Sequence, residues 1–283
     1  MPIRPSAVSD AYARLAEACP GLAIRELGHD EPAPRGGGWV SAAALAEGGA
    51  DLDAFLAWDD AQVVRDYGQP ARPDVVAGFG LHRYAWPACL LITVPWFLYR
   101  RVPRLPVTHV SYDRTGWRDA DGRPHARLVR LPAGRPGGGP ARRPGGPEDE
   151  EALRAEVRAA VAEHHEPVLA GFGPRTRRRG RALWGMVTDA IVEGLWYVGE
   201  LLGEGGGDRA RHELELLLPG ATRPYVGSAA FRELTGPDGR ALPTRDRASC
   251  CMFYTVRPED TCATCPRTCD TDRVAKLTTF AMS

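Results

Sequence analysis

Residues 84–99 read Tyr84-Ala85-Trp86-Pro87-Ala88-Cys89-Leu90-Leu91-Ile92-Thr93-Val94-Pro95-Trp96-Phe97-Leu98-Tyr99, without one charged side chain. Whether this run crosses a bilayer or lies inside a folded core decides the fold. A spanning helix needs about 20 apolar residues. The run is shorter and is interrupted by Pro87 and Pro95, so it is expected to be a buried helix within a longer helical segment over 74–101, with no integral membrane segment in the chain.

Outward from that helix, Tyr12, Leu15 and Cys19 have helical spacing and are closed by Pro20. Two further helices are expected over 42–46 and 52–67, between glycines. Residues 107–112 and 125–131 alternate in polarity and are flanked by turn residues, which predicts a β-hairpin through Asp119-Ala120-Asp121-Gly122. The stretch from Pro132 to Pro147 holds six glycines and five prolines, a flexible loop or linker.

Beyond it, Glu148-Asp149-Glu150-Glu151 places acids in a first helical turn, where they complement the helix dipole. Leu153, Val157, Val161 and Val168 follow as an apolar stripe. A second helix over 181–202 carries Leu183, Trp184, Val187, Ile191, Leu195, Trp196 and Val198, and closes on Gly203-Glu204-Gly205-Gly206-Gly207, of which the glycines at 205–207 read as linker. Its tryptophans are expected to pack rather than relay electrons. The adjacent His164 and His165 have no partner at ligand spacing and are expected on the water face. His82, His109 and His125 are scattered and give no support for a histidine ligand.

The 36 basic and 36 acidic residues cancel. A neutral chain lacks the net basic surface by which nucleic-acid binders release counterions, so no nucleic-acid partner is expected. The 43% hydrophobic content suffices for a core. Neither a G-x-G-x-x-G after a strand, nor a G-x4-G-K-[ST], nor a G-x-S-x-G elbow occurs, so nicotinamide, ATP and a serine nucleophile have no recognisable seat. The N-terminal Met1-Pro2-Ile3-Arg4-Pro5-Ser6 lacks the apolar core of a secretory signal, which leads to the expectation of a cytoplasmic protein with reduced thiols.

Five of the seven cysteines fall within 250–283. Cys250, Cys251, Cys262 and Cys265 form the pattern C-C-x10-C-x2-C, with Cys269 just beyond. Thiolates gathered this way suit soft metals and iron–sulfur clusters. A zinc ribbon uses two separated C-x2-C knuckles, and only one is present here. Adjacent cysteines point apart in an extended strand, so Cys250 and Cys251 can share a centre only if the backbone turns around them. A two-iron cage accepts such a pair more easily than a single ion, yet spacing alone leaves both a [2Fe–2S] centre and structural zinc open.

Arg247-Ala248-Ser249-Cys250-Cys251-Met252-Phe253-Tyr254, followed by Cys262-Ala263-Thr264-Cys265-Pro266, resembles the C-terminal motif of the FhuF-like ferric-siderophore reductases. Looser likeness extends to Phe79–Trp86, to Arg101-Val102-Pro103 and to Arg181–Gly185, so that the recognisable pieces cover about half of the chain; only the cysteine motif is specific. The resemblance implies a [2Fe–2S] cluster on Cys250, Cys251, Cys262 and Cys265, with Cys269 outside the pattern. It implies one-electron reduction of a ferric siderophore, releasing iron for assimilation, with no catalytic residue beyond the cluster. Electrons would come from a ferredoxin or an NAD(P)H-dependent reductase. Ser249, Thr261 and Thr264 are candidates for hydrogen bonds to sulfur. Arg175-Thr176-Arg177-Arg178-Arg179-Gly180-Arg181 reads as a solvated loop, with a docking patch for an anionic ferric complex or an acidic ferredoxin as its alternative. A zinc-stapled scaffold and an iron–sulfur redox sensor remain as non-enzymatic readings.

The expected architecture is α+β, predominantly helical with a small antiparallel sheet. Four parts are expected: an N-terminal helical region with a hairpin over 1–132, the linker over 133–147, a helical region over 148–245, and a cluster-binding segment over 246–283.

Overall fold

The computed structural model describes residues 6–28, 31–113, 126–130 and 146–280. Helices predominate, as expected. The chain runs α1 (Ala7–Ala18), β1 (Leu22–Glu26), β2 (Trp39–Ser41), α2 (Ala42–Glu47), α3 (Ala50–Tyr67), α4 (Pro73–Tyr99), β3 (Val110–Asp113), β4 (Ala126–Arg130), α5 (Pro147–Thr176), α6 (Gly180–Leu201), α7 (Gly206–Leu217), β5 (Phe231–Thr235), β6 (Ala241–Arg245) and α8 (Asp270–Phe280).

The apolar run forms the central helix α4, opened by Pro73 and closed by Arg100 in the left-handed region at φ 54°. Its length and composition would allow a membrane crossing, but 83% of its most apolar window is buried, against α1, α3, α5 and α6. Pro87 and Pro95 each remove one amide donor, which strands the carbonyl four residues earlier. Two tyrosines from outside the helix meet those carbonyls. Tyr12 of α1 donates to Leu91 O at 2.9 Å, and Tyr112 of β3 donates to Arg83 O at 3.4 Å. The prolines therefore help to fix which neighbours α4 takes.

The expected hairpin strands pair as β3 and β4, antiparallel, with Tyr112 opposite Leu128. Their connecting turn lies outside the described residues, as do 133–145 of the glycine-rich stretch; Gly146 and Pro147 open α5. The sheet is larger than expected. Its order is β1-β4-β3-β2, with β2 antiparallel to β3 and β1 parallel to β4. A separate hairpin, β5–β6, turns through Gly236-Pro237-Asp238-Gly239.

Two expectations need correction. Residues 205–207 are not a linker, because Gly206 and Gly207 begin α7. There the helix backbone sits so close to α6 that a Cβ on Gly206 would lie 2.2 Å from Gly199 O, and one on Gly199 would lie 2.6 Å from Ala210 Cβ. His164 and His165 are not on the water face, being 1% and 0% exposed. His164 bridges Leu105 O (2.6 Å, Nδ1) and Tyr84 Oη (2.8 Å, Nε2), while His165 Nδ1 lies 2.9 Å from Val161 O and Nε2 lies 3.7 Å from Cys89 Sγ. These partners satisfy both rings without a proton of charge. Burial pulls His164 down to about 4 and His165 down to about 3.

Two measurements follow from the core. Tyr12→Phe strands Leu91 O and is expected to cost about 1–3 kcal/mol in chemical denaturation. That cost should shrink in a Pro95→Ala background, where residue 95 regains its own amide donor; an undiminished cost contradicts the proline account. The two histidines stay neutral when folded and bind protons when unfolded. Stability is therefore full above the ordinary histidine value and falls as pH drops from 6.5 to about 4 for His164 and to about 3 for His165. The full loss is on the order of 3 kcal/mol for His164 and 5 kcal/mol for His165. Denaturant titrations from pH 7.5 to 5 should show the decline, and a flat profile contradicts neutral burial.

Candidate metal centre

The site is built on one face of α6. Asp189 and Glu193 lie one turn apart on a helix otherwise rich in apolar residues. Asp189 is fully buried and accepts four hydrogen bonds, from Arg245 Nη2 (2.8 Å), the amides of Ala248 (2.8 Å) and Ser249 (2.9 Å), and Ser249 Oγ (2.6 Å). This carboxylate holds the arm that leads from β6 into Cys250. Gly185, one turn earlier, makes the approach possible, since a Cβ there would meet Ala248 O at 3.2 Å and Ser249 Cβ at 3.3 Å.

Glu193 holds the second arm. It accepts from Arg245 Nη1 (3.2 Å) and from Thr264 Oγ1 (3.0 Å), a residue inside the C-x2-C turn. That turn is closed by the Cys265 amide donating to Cys262 O at 3.1 Å. Thr268 Oγ1 reinforces it at Cys262 O, 3.1 Å away. From α8, the 2%-exposed Arg273 donates to Arg245 O, to Asp246 and to Cys265 O, tying the two arms together. Arg178, from the loop before α6, donates to Cys250 O at 2.6 Å.

The turn that adjacent cysteines require is present. Met252 adopts the left-handed conformation at φ 66°, so the chain reverses directly after the pair. Cys251, Met252 and Phe253 then pack on Val63, Val75, Phe79 and Val256, which seats the loop against α3 and α4. Phe253 meets Tyr67 and Phe79 with ring centroids 5.2 and 6.0 Å apart.

Donors approach three of the four sulfurs. The Met252 amide reaches Cys250 Sγ at 3.4 Å and the Arg267 amide reaches Cys265 Sγ at 3.5 Å. Arg247 Nη1 is 3.9 Å from Cys262 Sγ. Of the three hydroxyls expected near sulfur, only Thr264 comes close, 4.0 Å from Cys262 Sγ. Ser249 is directed at Asp189, and Thr261 at Thr268.

Cys265 is buried, Cys250 and Cys251 are half-buried, and Cys262 and Cys269 are exposed. Burial pushes the Cys250 thiol up, with the neighbouring Cys251 and Cys265 adding to it against the Met252 amide and Arg178. The sulfur of Cys262 also lies deep enough for burial to raise it, opposed by Arg247 and assisted by Cys251 and Cys265. Cys251 and Cys265 thus act on both Cys250 and Cys262. Among the described residues, no three His, Cys, Asp or Glu side chains converge tightly enough to hold a single ion.

Arg247 is the charge in contact with this set. Its side chain is 7% exposed, with Nε 3.5 Å from Asp189 and 3.4 Å from Glu193, yet that Nε has no hydrogen-bond acceptor. Burial alone would lower its pKa, but Glu193, Asp189, Cys251 and Cys262 outweigh burial and raise it. His82 of α4 lies in the same field. Burial, aided by Arg247 and Arg83 and opposed by Asp189, pulls it down to about 4. Four cysteines outside any disulfide, beside a buried cation with an unsatisfied nitrogen, fit an anionic, thiolate-held group.

This C-terminal region is an iron–sulfur domain. Residues 247–267 match the family model of the FhuF 2Fe-2S C-terminal domain, and the match points to a [2Fe–2S] cluster. The likeness expected for the cysteine segment is thereby established over those residues. No curated protein matches the chain.

Sequence reasoning missed Asp189, Glu193, Arg178, Arg245 and Arg273. The legible signal was the pair of acids four residues apart on an apolar helix. Arg178 also corrects the expectation of a purely solvated 175–181 loop, since it is anchored to Cys250. Trp96 is fully buried and Trp184 stacks edge-on to Tyr225, in keeping with tryptophans that pack.

Asp189→Ala leaves Arg245 buried without its main partner and frees the Cys250 arm. We expect a loss of about 3–5 kcal/mol in stability together with a loss of iron on purification. Wild-type iron content in a folded Asp189→Ala protein contradicts the anchoring role.

Proposed function

We propose that the chain is a ferric-siderophore reductase in which Cys250, Cys251, Cys262 and Cys265 hold the [2Fe–2S] cluster and Cys269 does not. The observation that carries this reading is the anchored double arm. Asp189 and Glu193 of one helix fix the cysteine pair and the C-x2-C turn against each other, within the segment that matches the FhuF 2Fe-2S domain.

When bound, the cluster supplies one electron at a time. The chain's own residues hold the sulfurs, donate to them from the Met252 and Arg267 amides, and keep Cys265 dry while Cys262 stays at the surface. Electron transfer needs close approach, and the exposed Cys262 edge is where a chelate or a donor protein can come near. The substrate's ferric ion is held by hard oxygen donors that suit its charge. One added electron gives ferrous iron, which those donors hold weakly, so reduction is release and no acid, base or nucleophile is needed.

The electron comes from outside the chain, from a ferredoxin or an NAD(P)H-dependent reductase. The setting is the cytoplasm, where thiols stay reduced and released ferrous iron can be used. Residues 246–283 act as the cluster-bearing segment on a helical body.

The test mixes anaerobically reduced protein with ferric siderophores in the presence of a ferrous chelator. We expect ferrous iron to appear with re-oxidation of the protein, about one iron per chain in a single turnover. Cys251→Ser should abolish this, and Cys269→Ser should leave it intact. No iron release above the reductant-only control contradicts the reductase reading, and bleaching by Cys269→Ser contradicts the ligand assignment.

A further inference from the structure

We infer that Arg247 sets the reduction potential of the centre, raising it by holding a dry positive charge against the Cys262 sulfur. The inference rests on the cluster reading above, and it concerns a side chain that is not among the proposed ligands.

Two guanidiniums, Arg245 and Arg247, and two carboxylates, Asp189 and Glu193, sit together in the site, so their formal charges sum to zero. What the sulfurs experience is the orientation of these charges. The carboxylate oxygens accept from Arg245, the Ala248 and Ser249 amides and Thr264. Arg247 spans the acids and a sulfur, with its Nε 3.4 Å from Glu193 and 3.5 Å from Asp189. Its Nη1 stands 3.9 Å from Cys262 Sγ, and its charge acts on Cys251 and Cys262.

The sense of the effect is fixed by electrostatics. Reduction adds one electron, and hence one negative charge, to a group already made anionic by four thiolates. A cation beside it stabilises the reduced form more than the oxidised form, so the potential rises. Burial makes the effect large, because a charge at 7% exposure is poorly screened by water or salt. Hydrogen bonds and charge near sulfur are established controls on cluster potentials. The acids have a second role in this arrangement. They make it possible to bury Arg247 at all, since an unpaired guanidinium would not stay in a dry pocket.

Glu193 gives the inference a second handle. It lies 3.4 Å from Arg247 Nε, so it offsets part of the cation's field without touching a cysteine. Neutralising Glu193 should therefore move the potential in the direction opposite to neutralising Arg247. A side chain that merely props up the loop has no reason to give responses of opposite sign.

The experiment is a spectroscopic redox titration of the purified full chain, with iron and sulfide measured on every sample. For Arg247→Gln we expect the ratio of reduced to oxidised protein at fixed ambient potential to fall at least tenfold, a shift of 59 mV or more to lower potential for one electron. Arg247→Lys should recover most of the shift, and Glu193→Gln should raise the potential. If Arg247→Gln fails to retain iron, Glu193→Gln decides alone: a rise supports the inference, and an unchanged or lowered potential overturns it. Intact iron and sulfide with an unmoved potential in Arg247→Gln overturns the inference while leaving the reductase reading standing. Wild-type protein without iron and sulfide overturns both.

Discussion

The buried carboxylate of Asp189 is the constraint on which the functional end of the molecule depends. A carboxylate at zero exposure is tolerated only when its charge and lone pairs are met, and here one guanidinium, two amides and one hydroxyl meet them. Those partners come from β6 and from the residues just before Cys250. The cost of burying the charge is therefore recovered only when the cysteine arm is in place, which couples the shape of the loop to the integrity of α6. Glu193 repeats the device one turn later for the C-x2-C turn. A short, cysteine-rich tail segment cannot supply such rigidity by packing alone. The helix supplies it through ionic anchors.

The helical body provides the rigid footing that this arrangement needs. Its centre is α4, whose two internal prolines would leave buried carbonyls unsatisfied were it not for Tyr12 and Tyr112. The same helix faces the cysteine loop through Phe79 and Val75 and faces the buried histidine pair through Tyr84 and Cys89. One element thus connects the sheet, the polar cluster inside the core and the metal centre.

Much of this was legible in sequence. The charge-free run over 84–99 announced α4 because continuous apolar character fits only a fully surrounded element, and the stripes of α5 and α6 followed from period alone. The cysteine pattern identified the site because its spacing has few uses. What escaped depends on partners that leave no local sequence signal. Strand β1 pairs in parallel with β4, about a hundred residues later, and no local turn signals such a partner. His164 and His165 looked like surface residues because their buried acceptors, Leu105 O and Val161 O, are backbone groups without a sequence signature. Gly206 looked like linker because close approach to Gly199 is invisible until α6 and α7 are packed. Asp189 and Glu193 carried a faint signal, two acids in an apolar helix, but their meaning depended on Arg245 and Arg247 arriving from another segment.

The central claim is that the four cysteines anchored to α6 hold a two-iron, two-sulfide centre. Its most direct test is the visible absorption spectrum of protein purified without oxygen, combined with iron, sulfide and zinc analysis. The expected result is about two irons and two sulfides per chain, with colour that bleaches on reduction. One zinc per chain, no sulfide and no colour would contradict the account and leave the anchored loop as a structural staple.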